Sequence, residues 1–296
     1  MVLVGWTVGC AGVDTPPTIE ASAGGAAYWP PNSATAIDGA IETGLDAIEL
    51  DVSLTRDGVP VIVDGPWITP DRCTFATGQP LDPEGFEVRW ATAAYLASFV
   101  RCGGIPDPAF DGALVVAEPP LTLDALVARL VDAPSIARVH LDIRYAPGLT
   151  AEPDRFAAAV LDGWTAVDLS QSLTVSSAYP EVLTAFDAYG RSIGRDVPTW
   201  LAVPQIPYGA DPAGVLAAAE AEATVGGLDL VSLADAAGAD GVIVRWDVAD
   251  RRSIAAGRAA GLEVAIGEVD DLRALRWWAR PGEADTVITA WPGEVE

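Results

Sequence analysis

Short apolar runs alternate with alanine-rich helical stretches along nearly the whole chain, and this alternation limits the folds open to it. The runs TIEASAG (from Thr18), AIELDVSL, VPVIVDG, RVHLDIR, SLTVSSA, PTWLAVP, ADGVIVRW, GLEVAIGEV and DTVITA read as strands. Most are separated by segments with helical character, such as SATAIDGAIETG, LTLDALVARLVDA, DRFAAAVLDGWTAV, YPEVLTAFDAYG, DVADRRSIAAGRAAG and DLRALRWWAR. Strand-then-helix units joined by short loops favour a parallel sheet, because a parallel neighbour is reached only by a crossover long enough to hold a helix. About eight such units without a glycine-rich nucleotide fingerprint favour a closed (β/α)₈ TIM barrel over an open doubly wound sheet. At 296 residues, half of them hydrophobic, the chain is long enough to fill one. The reading takes 18–296 as a single domain and 1–17 as a separate N-terminal segment. The stretch 71–117 is the least regular, a long decorated loop with a helix around WATAAYLASFV.

A formal net charge of −25 excludes two classes of partner. Nucleic acid and anionic membrane both carry phosphate, which such a surface repels. All of the 17 basic residues are arginines, a bias of the proteome that says nothing of mechanism. No apolar run is long enough to cross a bilayer.

The three cysteines, Cys10, Cys73 and Cys102, lack the paired spacing of a zinc site. The opening MVLVGWTVGC resembles the tail of a bacterial lipoprotein signal, which implies lipidation at Cys10 and residence in the cell envelope or outside the cell. Cys73 and Cys102 then remain as an even pair for a disulfide in an oxidising compartment. The alternative is an ordinary N-terminal strand and three free thiols in the cytoplasm.

In a TIM barrel, chemistry gathers where strands end. In IELDV, Glu49 and Asp51 are two apart and share one side of a strand. In RVHLDIR, His140, Asp142 and Arg144 do the same, so a third carboxylate and a guanidinium become available. Carboxylates facing a barrel interior are costly to bury unpaired, and a divalent cation or an arginine relieves that cost. The aromatic residues Trp277, Trp278 and Trp291 read as packing at element ends.

The stretch IELDVSLTRDG, with VPVIVDGP, PPNS, RCT, PPLTLDAL, HLDIR, VSSAYPEVL and VITAWP around it, resembles the glycerophosphodiester phosphodiesterase family from about Thr18 onward. These are metal-dependent TIM barrels of the phospholipase C-like phosphodiesterase type, which hydrolyse deacylated phospholipids and so belong to lipid metabolism. The resemblance implies a metal site on Glu49, Asp51 and Asp142, holding Mg²⁺ or Ca²⁺ through oxygen ligands. It implies substrate contacts from Asn32 and from Arg144, which stands where the family has lysine. It also exposes a loss. The family's reaction uses two histidines as general acid and base, and here Ser22 and Asp64 occupy those positions. Serine has no useful proton affinity at neutral pH, and an ordinary aspartate is a poor acid there. The single histidine, His140, sits too early in its strand to reach the barrel mouth and reads as a core residue satisfied by its neighbours. Three expectations follow. The first is a barrel that binds metal and a small phosphodiester with catalysis impaired. The second is a phosphodiesterase in which Asp64 is the base. The third is a non-enzymatic envelope lipoprotein acting as a scaffold, its acids paired to Arg144 or solvated.

Overall fold

The computed structural model describes residues 15–133, 135–203 and 228–295. Cys10 and most of the segment 1–17 lie outside them. Strand β1 (Thr18–Ala21) leads through a short 3-10 turn into helix α1 (Ala34–Thr43) and then β2 (Ala47–Leu54). Ser33 caps α1, its hydroxyl accepting from the Ala36 amide, and Gly44 ends it in a left-handed conformation with φ of 72°. An excursion follows, with strands β3 (Pro60–Ile62), β4 (Trp67–Ile68), β5 (Cys73–Phe75) and β6 (Phe86–Glu87), helix α2 (Ala93–Phe99), and strands β7 (Val100–Cys102) and β8 (Leu121–Thr122). Strand–helix alternation then resumes with α3 (Leu123–Leu130), β9 (Arg138–Ile143), α4 (Pro153–Thr165), β10 (Ser172–Ser177), α5 (Pro180–Ser192) and β11 (Thr199–Val203). It closes with α6 (Leu230–Ala237), β12 (Gly241–Val244), α7 (Arg251–Ala259), β13 (Glu263–Ile266), α8 (Leu272–Trp278) and β14 (Thr286–Thr289).

Eight strands pair in parallel in the order β1-β14-β13-β12-β11-β10-β9-β2, and β1 also pairs with β2, which closes the (β/α)₈ barrel. One of the nine sequence strands falls outside this ring. VPVIVDG turns back as β3, antiparallel to β2 with Val52 opposite Ile62, and β8 extends that hairpin. The reason is the polar turn Arg56–Gly58 between them, too short to carry a crossover helix. Side chains alternate as the parallel strands require. Ile48, Leu50 and Val52 of β2 pack outward with Val139 and Leu141 of β9 against α1, α3 and α4, while Glu49 and Asp51 point inward.

The excursion has its own apolar cluster, including Val61, Ile68, Leu81, Val88, Leu96 and Val100. Cys73 and Cys102 lie opposite each other on β5 and β7 and are joined by a disulfide across a sequence separation of 29 residues. Such a crosslink restricts the unfolded chain more than the folded one. Its loss is expected to cost about 3 kcal/mol, read as a lower urea midpoint after reduction. Peptide mapping should find Cys73 and Cys102 alkylated only when a reductant precedes the label.

Candidate functional site

The inward face of β2 and β9 builds the site. In the register of these strands Glu49 lies beside His140 and Asp51 beside Asp142. Arg144 follows the end of β9, its amide donating to the Val52 carbonyl at 3.0 Å. Glu49 and Asp51 are each 4% exposed, so both carboxyls have left bulk water. Carboxylate oxygens of Glu49, Asp51 and Asp142 all lie within 4.8 Å of one another.

Each acid is held by a different group. Glu49 Oε2 accepts from the Ser22 hydroxyl at 3.2 Å and from the Ala23 amide at 3.0 Å. Asn32 grips Asp51 twice, its Nδ2 donating to Oδ2 at 2.7 Å while its Oδ1 accepts from the Asp51 amide at 3.0 Å. That grip needs a tight loop after β1. Ala23 and Asn32 both take left-handed backbone, with φ of 49° and 57°, and the Asn32 amide donates to the Ala23 carbonyl at 2.9 Å. Asparagine tolerates this region better than most residues. Asp142 accepts from the Ser176 hydroxyl of β10 at 2.7 Å.

Arg144 ties the acids together. Its guanidinium is 2.6 Å from Asp51, 3.1 Å from Asp142 and 3.6 Å from Asp64, and Asp64 is in turn 3.1 Å from Arg72. Burial pushes the Glu49 carboxyl well above the usual carboxylate range, with Asp51, Glu268 and Asp142 adding to the shift and Arg144 opposing it. Burial likewise lifts Asp51 to about 7, against the pull of Arg144. Arg144 and Arg72 together do not balance Glu49, Asp51, Asp142, Asp64 and Glu268. The deficit of positive charge, the oxygen donor set and the close approach of the three carboxylates together fit a hard divalent cation such as Mg²⁺ or Ca²⁺. Arg144 itself stays protonated. Burial works against its charge, but Asp51, Asp142, Asp64 and Glu268 outweigh that.

The site opens into a cavity of about 330 Å³ lined by Glu49, Asp142, Arg144, Ser176, Arg245 and Glu268, among others. Ser176 and Glu268 are site residues that sequence reasoning missed. Glu268 follows β13 at the exposed rim of the cavity, where crowding by the surrounding protein raises its carboxyl, Arg144 opposes the shift and Asp270 reinforces it. His140 also lines this cavity, at its deeper end: it is fully buried, its Nδ1 is 3.0 Å from Glu20 Oε2 and its ring is edge-on to Trp200 at 5.1 Å. Arg138 completes this lower cluster, 2.7 Å from the other oxygen of Glu20. The tryptophans pack. Trp277 stands edge-to-face with Trp278 at 4.3 Å, and Trp291 meets Tyr28 and Phe110.

Residues 23–72 match the model of the glycerophosphoryl diester phosphodiesterase family, a stretch that spans the Asn32 loop, β2 and Asp64. The barrel as a whole resembles solved structures of that kind. A Silicibacter pomeroyi protein described as a glycerophosphoryl diester phosphodiesterase superposes with a TM-score of 0.80 at 18% identity, covering 96% of this chain and 94% of its own. An Oleispira antarctica phosphodiesterase in complex with the product sn-glycerol-3-phosphate gives 0.69 at 17%, covering 95% of each chain. A Thermotoga maritima glycerophosphodiester phosphodiesterase gives 0.60 at 17%, covering 94% of this chain and 96% of its own. Comparison by sequence with curated proteins finds no match. At these identities the structural likeness shows the fold. The chain is a TIM barrel that resembles the glycerophosphodiester phosphodiesterase family locally in sequence and throughout in architecture.

A proton on Asp51 must leave before a cation binds. Calorimetry is expected to find Mg²⁺ or Ca²⁺ bound about tenfold more tightly at pH 8 than at pH 6. The linkage sign agrees. A carboxyl raised in the fold from 3.8 to about 7 favours the folded state below the lower value, and the benefit is lost as pH climbs through the higher one. The metal-free protein should therefore melt at a lower temperature at pH 8 than at pH 5 as far as this group decides it, with added cation recovering the loss.

Proposed function

We propose that this chain is a glycerophosphodiester phosphodiesterase-like protein that holds a divalent cation on Glu49, Asp51 and Asp142, binds a small phosphodiester beside Arg144, and is impaired in ordinary hydrolysis. The observation that carries the reading is how the two acid-base positions are filled. Ser22 is spent as a hydrogen-bond donor to Glu49, and Asp64 is an ion-pair acceptor between Arg72 and Arg144. His140, the chain's one histidine, lines the same cavity but stands two residues before Asp142 on β9, with its Nδ1 held by Glu20 and its ring against Trp200, so it occupies neither of those two positions.

What remains is a binding apparatus. When bound, a divalent cation supplies Lewis-acid polarisation of a phosphoryl oxygen. Arg144 offers a planar fork for a phosphate oxygen at the same mouth. Asn32 fixes the Asp51 carboxylate from the loop side, and Ser176 fixes Asp142 from β10. The product complex of the Oleispira antarctica neighbour supports a small phosphate-bearing ligand for a barrel of this shape. The position of Asp64 at the mouth favours one competing reading, in which this carboxylate is the base of an altered hydrolysis.

The disulfide between Cys73 and Cys102 supports an oxidising compartment, hence the cell envelope or the exterior, with Cys10 as the lipid anchor. Cytoplasmic thiols would be kept reduced. Among the described residues no helix is long and apolar enough to cross a membrane.

The test pairs binding with turnover. Mg²⁺ or Ca²⁺ should raise the melting temperature of the wild type and leave a Glu49→Ala/Asp51→Ala variant unmoved, with no glycerol phosphate released from glycerophosphocholine by either. Metal-dependent release that Asp64→Ala abolishes would overturn the impairment and make Asp64 the base.

A further inference from the structure

A second cavity, of about 260 Å³, lies on the other side of the carboxylate cluster, between the end of β3 and the excursion. Most of its wall is apolar, with Ile62, Val63, Trp67, Ile68, Ile105 and Pro108 among the lining residues, and Asp71, Arg72, Asp107 and Glu118 add charged groups to it. Asn32 and Asp64 line it too. These are the residues that grip Asp51 and approach Arg144, so the cluster stands between the polar cavity and this apolar one.

The apolar cavity is built to stay open. The Cys73–Cys102 disulfide lines it, and Cys102 exchanges two backbone hydrogen bonds with Glu118 at 2.7 and 2.9 Å. The Glu118 carboxylate in turn accepts from the amide and the hydroxyl of Thr35 in the first turn of α1. Gly103 lets the far wall come this close. Its φ is +75°, and a Cβ there would stand 2.5 Å from Pro30 Cβ and 2.8 Å from the Val116 carbonyl. A preformed apolar hollow beside convergent polar groups is a ligand subsite rather than a packing defect.

We propose that this cavity is a subsite for an apolar ester group, so that the preferred ligand is an amphiphilic phosphodiester. Its phosphate lies at Arg144 and the carboxylates, and one of its alcohols is aliphatic and occupies the hollow. The inference rests on the phosphodiester reading above and names the substrate class for it.

The test is calorimetry of the full chain with Mg²⁺ and ethyl-, butyl- or hexylphosphocholine, each kept below its micelle concentration. Affinity is expected to rise about fourfold per added methylene until the hollow is full. Ile105→Asp and, separately, Trp67→Ala should remove that dependence while leaving ethylphosphocholine binding and the melting temperature near wild type. A flat series in the wild type, or a steep one that neither wall variant changes, overturns the subsite. The same series in Glu49→Gln/Asp51→Asn separates the two claims. Equal weakening of all three ligands supports the phosphodiester reading. Unchanged affinities with the wall-sensitive slope intact would sink that reading and leave the apolar subsite standing.

Discussion

Arg144 reaches three carboxylates from two strands and a loop, and the arrangement of the barrel mouth depends on that contact. Without a positive charge, the inward pair Glu49 and Asp51 would sit beside Asp142 in a region almost cut off from water. A pair of that kind is expensive to ionise, and removing the one partner leaves charge buried without compensation. The guanidinium therefore does structural work before any ligand arrives. It also leaves the site short of positive charge, since the carboxyls of Glu49 and Asp51 remain raised even beside it. A divalent cation and an arginine are two answers to the same electrostatic problem, and this site holds one and has the donor set for the other.

The same economy explains how Ser22 and Asp64 are used. Ser22 and the Ala23 amide neutralise part of the Glu49 charge through hydrogen bonds, and Asp64 offsets Arg72 and Arg144. Both side chains are engaged in holding the cluster together.

Much of this was legible in the sequence because strand geometry is rigid. A period of two puts Glu49 with Asp51, and Asp142 with Arg144, on one face once IELDV and RVHLDIR are read as strands. His140 was legible in the same way, although its partner Glu20 was not, because the pairing runs between β1 and β9 over 120 residues. Which of the nine strands stays out of the ring was not legible, for a local reason. VPVIV has the apolar content of a barrel strand, and only the shortness of the turn before it marks the antiparallel return. Ser176 and Glu268 carried no signal, since nothing in their spacing relates them to the acids they face. The apolar hollow was equally silent. It arises where three distant segments meet, and it was read only as an irregular stretch with two cysteines.

The central claim is that Glu49, Asp51 and Asp142 form a cation site that Arg144 shares. The most direct measurement is anomalous diffraction from crystals grown with Mn²⁺ near pH 8. The account predicts one strong peak within about 2.2 Å of oxygens from all three acids, with the Arg144 guanidinium drawn away from Asp51. A fully ordered mouth with no peak there, Arg144 still bridging Asp51 and Asp142, would contradict it.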